Sequence, residues 1–351
     1  MSGPPAVRSA DASRRISRRV FVGALIFTIL LTVFWLAVLV IGPARAPFFG
    51  QYHLDRAALG RIVGSFLIMS LLWGWLWYGV RYALLRRFVG MSKEDAREVL
   101  SSRLRAPFDL SRYLAAYSER RIRITDMIGR RGRFLTLGLA AFYFMYARVA
   151  VDPKPEHLLF GAYESLFDAV VFSWLNLAAF RSEGFFGRLV FGAQSRLMDG
   201  TLGRANCLLI TQLWTAFKFV MVPLSVQLAG LFPPETFAPL FAFIWCSYVA
   251  ADGLSEIVGA LFGRQTLRVW GIGDINRKSV EGTVAGFVGS LALCLLVVWS
   301  RGLPPSWAVL AVVVSVSNTL LELFSPRGTD DFTMATTNAL LCWAFGAIVY
   351  G

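Results

Sequence analysis

Long apolar runs alternate with short polar connections along most of the chain. Runs near or beyond the roughly 20 residues that a helix needs to cross a hydrocarbon core recur from end to end. About nine of them read as membrane spans: residues 20–42, 57–80, 134–151, 158–180, 206–232, 236–259, 280–299, 306–324 and 332–350. The pattern predicts an all-α fold, a polytopic transmembrane helical bundle. Glu164, Asp168, Lys218, Asp252 and Glu256 interrupt the fourth to sixth runs. Ionisable groups at membrane depth are costly, so each calls for a partner or a function. For Glu164, Asp168 and Lys218 the two readings are a structural ion pair between Asp168 and Lys218 and a lining for a polar headgroup or proton path.

The longest stretch without a span, 91–133, also reads as helical. Ser92 stands as an N-cap before Lys93, with Glu94 and Asp95 in the first turn. Its arginines, Arg120, Arg121, Arg123, Arg130, Arg131 and Arg133, fit either lipid headgroups or a topology signal ahead of the next span. The chain then divides into a basic N-terminus (1–19), two spans (20–80), a basic amphipathic segment (81–133), spans three to five (134–235) and a C-terminal region (236–351) that holds most of the candidate chemistry.

Composition narrows the class. The chain is 56% hydrophobic and 14% aromatic, with a mean hydropathy of +0.58, beyond the range of soluble globular proteins. A net charge of +13 raises the question of nucleic acid. The basic residues sit between apolar runs with no stripe of interleaved aromatics, so the expectation is no nucleic acid and contact with anionic lipid. The Arg-rich segments, the N-terminus, 81–133, 181–205 and 264–278, fall on one side of a nine-span arrangement, which places the N-terminus in the cytoplasm. Arg45, Arg56 and Arg61 are the exception. The first run is too long for a signal-peptide core and reads as a retained span. A bacterial inner membrane is the simplest location, and the sequence is compatible with a homo-oligomer.

Four cysteines, Cys207, Cys246, Cys294 and Cys342, lie in apolar runs without metal-ligand spacing and read as small buried apolar residues. His53 and His157 stand apart, which argues against zinc and hydrolase chemistry.

Two clusters carry candidate chemistry. Asp252 and Glu256, four residues apart, share a helix face at the end of the sixth run. The connection after them supplies Arg264, Arg268, Arg277 and Lys278 with Gly271 and Gly273, and Glu281-Gly282 open the next run. Cations, glycine-permitted backbone approach and a helix N-terminus are what a polyphosphate needs. The alternative is that Arg277 and Lys278 only set topology. The stretch GDINRKS is not a P-loop, because the glycine before lysine is missing and no strand precedes it. The second cluster joins the last two runs: Glu322 ends one, and Asp330 and Asp331 begin the other. Carboxylates and cations on one face suit Mg²⁺ with nucleotide phosphates. Helix capping is the competing reading of Asp330 and Asp331.

The blocks ADGLSEIVGALFGR (251–264), RKSVEGT (277–283) and ELFSPRGTDDFT (322–333) resemble the dolichol kinase and phytol kinase family, which is related to the CDP-diacylglycerol synthases. The resemblance covers roughly the C-terminal third. It departs from the family at Asp331, where Asn is usual, and at Ala335, where Pro is usual. It implies phosphoryl transfer from CTP, with a divalent metal, to a long-chain isoprenoid alcohol at the cytoplasmic membrane face. By position, Asp252 and Gly253 match the acidic-glycine pair, Lys278, Ser279, Glu281 and Gly282 match K-[ST]-x-E-G, and Asp330 and Asp331 match the late acids. The roles implied are Asp252, Lys278 and Glu281 in catalysis, with Gly253, Arg264, Arg277, Lys278, Ser279 and Gly282 at the nucleotide. Asp252, Asp330 and Asp331 would hold Mg²⁺, with Glu256 and Glu322 nearby. The alternatives are a cytidylyltransferase acting on a lipid phosphate, and a transporter or non-catalytic membrane protein.

Overall fold

A backbone in hydrocarbon can satisfy its polar groups only internally, so apolar runs of this length fold as helices. The computed structural model describes residues 10–45, 74–101, 110–132, 152–182, 184–192, 195–270, 277–326 and 328–351. In chain order its helices are α1 (Ala10–Arg45), α2 (Gly74–Leu84), α3 (Lys93–Ser101), α4 (Leu110–Ala116), α5 (119–132), α6 (Pro155–Arg181), α7 (Phe185–Phe191), α8 (Gly203–Leu231), α9 (Pro234–Phe262), α10 (Val280–Ser300), α11 (Pro305–Phe324) and α12 (Asp330–Val349).

Six of these, α1 and α8 to α12, are long and apolar enough to cross a membrane. The protein is an integral membrane protein of helical build. The count among the described residues is thus six rather than nine. Residues 134–151 and most of 57–80 lie outside the described residues. The fourth run forms the 27-residue α6, of which Ala169–Arg181 is an apolar helical stretch among the described residues. Lys218 is buried on α8 with its ammonium 4.1 Å from the Trp214 ring centroid, one turn away. The side chains of Glu164 and Asp168 are outside those described, so the expected ion pair is too.

One element breaks the all-helical pattern. The connection between α9 and α10 forms a two-stranded antiparallel ribbon, β1 (Thr266–Arg268) with β2 (Arg277–Ser279), in which Lys278 stands opposite Leu267. Its tip, residues 271–276, lies outside the described residues. The ribbon ends at Ser279, whose hydroxyl accepts from the Gly282 N–H at 3.1 Å and caps α10.

Helices α9 and α10 cross at close range because small residues line the seam. A Cβ on Gly282 would stand 2.4 Å from the Ser255 carbonyl oxygen, and one on Gly286 2.7 Å from that of Ala251. Deeper in the bundle, polar side chains join four helices. Asn318 donates to Ser247 and Ser290 at 3.3 and 3.2 Å, and Asn338 donates to Ser247 at 3.1 Å. Asn338 also reaches the Ile244 carbonyl at 3.4 Å, inside the π-turn Ala242–Cys246 of α9. With apolar lipid outside and apolar side chains inside, close packing and such hydrogen bonds are what select helix partners in a membrane. Toward the other end of the bundle, Phe232, Phe237, Phe243 and Trp307 pack in one core with Cys294 and Cys342. Three cysteines are buried, Cys246 is partly buried, and all four are free thiols.

The segment after α2 folds as a small helical unit. Ser92 accepts from the Asp95 N–H at 3.0 Å, as expected of an N-cap, and Asp95 accepts from Tyr117 at 2.6 Å and Arg112 at 2.7 Å. Leu85, Met91, Leu100, Tyr113 and Ile122 form its core together with Leu197. A buried Arg81–Asp126 pair at 2.6 Å ties α2 to α5, and Asp126 also accepts from the Leu197 N–H at 2.8 Å.

The seam makes a steric prediction. Gly286→Ala drives a methyl into the Ala251 backbone and should cost about 1–3 kcal/mol, whereas Gly253→Ala enters open space in a helix interior and should raise stability by about 0.5–1 kcal/mol. Thermal unfolding of the two variants in detergent checks the contrast.

Candidate functional site

Four helix ends meet beside the ribbon. Asp252 and Glu256 lie in the second half of α9, Glu322 in the last turn of α11 and Asp330 at the start of α12. Carboxylate oxygens of Asp252, Glu322 and Asp330 all lie within 4.8 Å of one another, and all three residues are buried. Thr329 occupies the N-cap position of α12, and no side-chain capping hydrogen bond is made there. Asp330 instead turns one oxygen toward Lys278, while its Oδ1 is buried without a hydrogen-bond partner.

Cations hold these acids together. Lys278 Nζ lies 3.0 Å from Glu322 Oε1 and 3.5 Å from Asp330 Oδ2, and it donates to the Glu322 main-chain oxygen. The Ser255 hydroxyl adds a 2.8 Å hydrogen bond to Glu322. Burial alone would push the Lys278 ammonium down, but the Asp330 and Glu322 carboxylates outweigh it and raise it above its ordinary value. From α5, Arg131 pairs with both Asp252 and Glu256. Arg196 reaches Glu256 at 2.9 Å and Arg130 at 3.7 Å. Burial works against the Arg131 charge as well, and the Asp252 and Glu256 carboxylates prevail over it.

These groups enclose a cavity of about 110 Å³, space for a few water-sized ligands. Arg123, Arg130, Arg131, Arg196, Arg277 and Lys278 line it against Glu119, Asp126, Asp252, Glu256, Glu322 and Asp330, so its walls are charge-balanced.

The sequence-predicted residues divide on this geometry. Asp252, Glu256, Arg277, Lys278, Ser279, Glu322 and Asp330 line the cavity. Asp331 is buried beside it with an unpartnered Oδ1, close enough for the charges of Asp252 and Asp330 to act on it, but it is outside the trio of close oxygens. Gly253, Arg264, Glu281 and Gly282 do not line the cavity. Gly253 faces open space and Arg264 is exposed. Gly282 is packed in the helix seam, and Glu281 accepts from the Gln265 N–H at 3.2 Å, which fastens the ribbon to α10. Sequence reasoning placed the arginines of α5 at lipid headgroups or in topology and gave Arg196 no role. Their signal was the basic run itself; its destination depends on how α5 docks, with Arg120 donating to the Leu261 carbonyl at 3.1 Å.

Three hard oxygen donors with a buried, unpartnered Asp330 oxygen among them suit a divalent cation such as Mg²⁺. Over 108 residues the chain is 34% identical to the phytol kinase of Synechocystis sp. (strain ATCC 27184 / PCC 6803 / Kazusa). It is similar to a phytol kinase. The match covers 30% of this chain and 45% of that phytol kinase, so it spans under half of the relative's length. It supports the resemblance to the phytol and dolichol kinases read from the C-terminal blocks. No family model matches the chain, and no solved structure matches it.

Removing one partner of a buried ion pair leaves the other uncompensated, at a cost of about 3–5 kcal/mol. Lys278→Met should therefore lower thermal stability by that order. Millimolar Mg²⁺ should restore part of the loss by supplying charge to the same carboxylates, and melting curves with Mg²⁺ and with EDTA check this.

Proposed function

We propose that the protein is a lipid-alcohol kinase. It transfers the terminal phosphoryl group of CTP to a long-chain isoprenoid alcohol, phytol-like or polyprenol-like, at the cytoplasmic face of a bacterial inner membrane. The observation that carries this reading is the buried trio Asp252, Glu322 and Asp330, crossed by Lys278 and faced by arginines, at the ends of apolar helices. The similarity to a phytol kinase supports the same reaction class.

In this reading the alcohol oxygen forms a bond to the γ-phosphorus as the bond to the bridging oxygen breaks, CDP leaves, and the hydroxyl proton is released. Such a reaction is promoted mainly by positioning and by charge placed where phosphate oxygens gather it. Lys278 and Arg277 bind phosphate oxygens from the ribbon side. Asp252, Glu322 and Asp330 would hold Mg²⁺, which would supply positive charge to the phosphates. Asp331, next to the trio, keeps the charge of the site negative enough to retain the cation. Ser279 and Gly282 act by capping α10, which fixes Lys278 one residue before the N-cap. Glu281 is a positioning residue through Gln265.

A cytidylyltransferase acting on a lipid phosphate is the second reading, since it shares the K-[ST]-x-E-G block. Resemblance to those enzymes would call for a late His-Gly-Gly block after K-[ST]-x-E-G, and no histidine follows His157.

The deciding measurement asks which phosphate of CTP reaches the lipid. With Mg²⁺ and a polyprenol or phytol, γ-labelled CTP should give labelled lipid, and α-labelled CTP should give none. Label from the α-position, with a lipid phosphate as acceptor, would establish the second reading. No transfer from either position across several alcohols and nucleotides would leave a transporter or a non-catalytic protein. In the same assay Asp252→Asn should reduce turnover about 100-fold or more, the scale of losing a principal electrostatic group. Glu281→Gln should reduce it far less.

A further inference from the structure

Asp252 belongs to two groupings at once, an ion pair and a trio of carboxylates. Among the described residues its ion-pair partner is Arg131, which arrives from α5, more than a hundred positions earlier in the chain. The same carboxylate belongs to the trio with Glu322 and Asp330. A divalent ion held by that trio and a guanidinium held by Asp252 carry like charge at close quarters in a buried site, so each weakens the other. Glu256 does not share this conflict. It is outside the trio and keeps Arg196 at 2.9 Å and Arg130 at 3.7 Å besides Arg131.

The cavity walls are charge-balanced as they stand. A metal ion alone unbalances them toward positive, and a polyphosphate alone toward negative. Together they offset each other in part, and a metal ion on Asp252 takes over the pairing of that carboxylate, which leaves its wall cation available to a phosphate oxygen. Arg131 lines the cavity together with Arg277 and Lys278, so it can change partners without leaving it. Its planar fork donates two hydrogen bonds to a carboxylate or to a phosphate, a geometry that a lysine ammonium lacks.

We propose that Arg131 is an exchangeable counter-ion: it neutralises Asp252 when no metal is bound, and it turns to the phosphate oxygens when a divalent cation and a polyphosphate enter together. It is thus a polyphosphate-binding residue, and it couples the two ligands. Metal alone binds against Arg131, whereas metal with polyphosphate binds with its help. The proposal rests on the kinase reading only for the identity of the anion, a polyphosphate chain.

The test uses full-length protein in detergent and two binding measurements. Mn²⁺ binding is read by electron paramagnetic resonance, and tripolyphosphate binding in excess Mg²⁺ by calorimetry. Arg131→Gln should tighten Mn²⁺ alone by about five- to tenfold and weaken tripolyphosphate by a similar factor, a coupling of ordinary size. Glu256 keeps two arginines in this variant; its melting temperature should fall, as the loss of a buried partner requires, and a single cooperative transition shows that the fold survives. Mn²⁺ affinity that is unchanged or lower in the folded variant overturns the proposal and makes Arg131 a brace between α5 and α9. If Arg131→Gln does not fold, Arg131→Lys, which keeps the charge but loses the fork, should leave Mn²⁺ alone within about twofold and weaken tripolyphosphate about fivefold, and an unchanged tripolyphosphate affinity overturns the proposal. Failure of both variants to fold also assigns the brace. Neither measurement involves turnover, so the result stands whichever reaction the CTP label reveals.

Discussion

Carboxylates buried at the ends of apolar helices are tolerable only when cations meet them, and this requirement organises the rest of the protein. Asp252 and Glu256 sit in the second half of α9, Glu322 at the end of α11 and Asp330 at the start of α12, and all but the partly buried Glu256 are buried. Unpaired, each would carry a desolvation penalty of several kcal/mol. Lys278 bridges Glu322 and Asp330 from the ribbon, and Arg131 bridges Asp252 and Glu256 from α5. The ribbon and the small N-terminal helical unit are therefore held to the bundle by the same charges that form the site.

Reach decides whether that pairing works, and small residues set the reach. Gly259, Gly263, Gly282 and Gly286 leave no room for a Cβ between α9 and α10, so the two backbones approach closely. That approach puts Ser255 of α9 and Lys278 of the ribbon on the same Glu322 carboxylate. Farther in, the hydrogen bonds among Ser247, Ser290, Asn318 and Asn338 fix the rotation of α9 to α12 about their axes. A rotated α11 or α12 would carry Glu322 or Asp330 out of the cluster.

The location of the cluster also bears on the proposed reaction. A phosphoryl donor is polar and arrives from water, whereas an isoprenoid alcohol is apolar and arrives through the bilayer. A charge cluster at helix ends is where the two can meet. Phe262 and Trp270 stay exposed on either side of β1, as aromatic side chains at the headgroup level do.

Sequence alone was enough for the class of the protein and for much of the cluster. A run of apolar residues is a local property, and hydrocarbon leaves the backbone one answer, so α8 to α12 follow the predicted runs within a few residues. Asp252 was legible because a charge inside an apolar run is costly and calls for a partner, and Glu322, Asp330 and Lys278 because they flank such runs in blocks that resemble one family. The ribbon between α9 and α10, the helix-packing roles of Gly282 and Glu281, and the placing of Asp331 beside the trio were not legible, because each depends on a neighbour supplied by another element. The arrival of Arg131 and Arg196 at Asp252 and Glu256 was the least visible of all. Many arginines in this chain sit in loops where membrane topology alone accounts for them, and only the docking of α5 and of the segment before α8 decides which ones find a buried carboxylate. Local composition dictates which groups need a partner, but tertiary packing chooses the partner, because ion pairing depends on distance in space and carries no trace of distance along the chain.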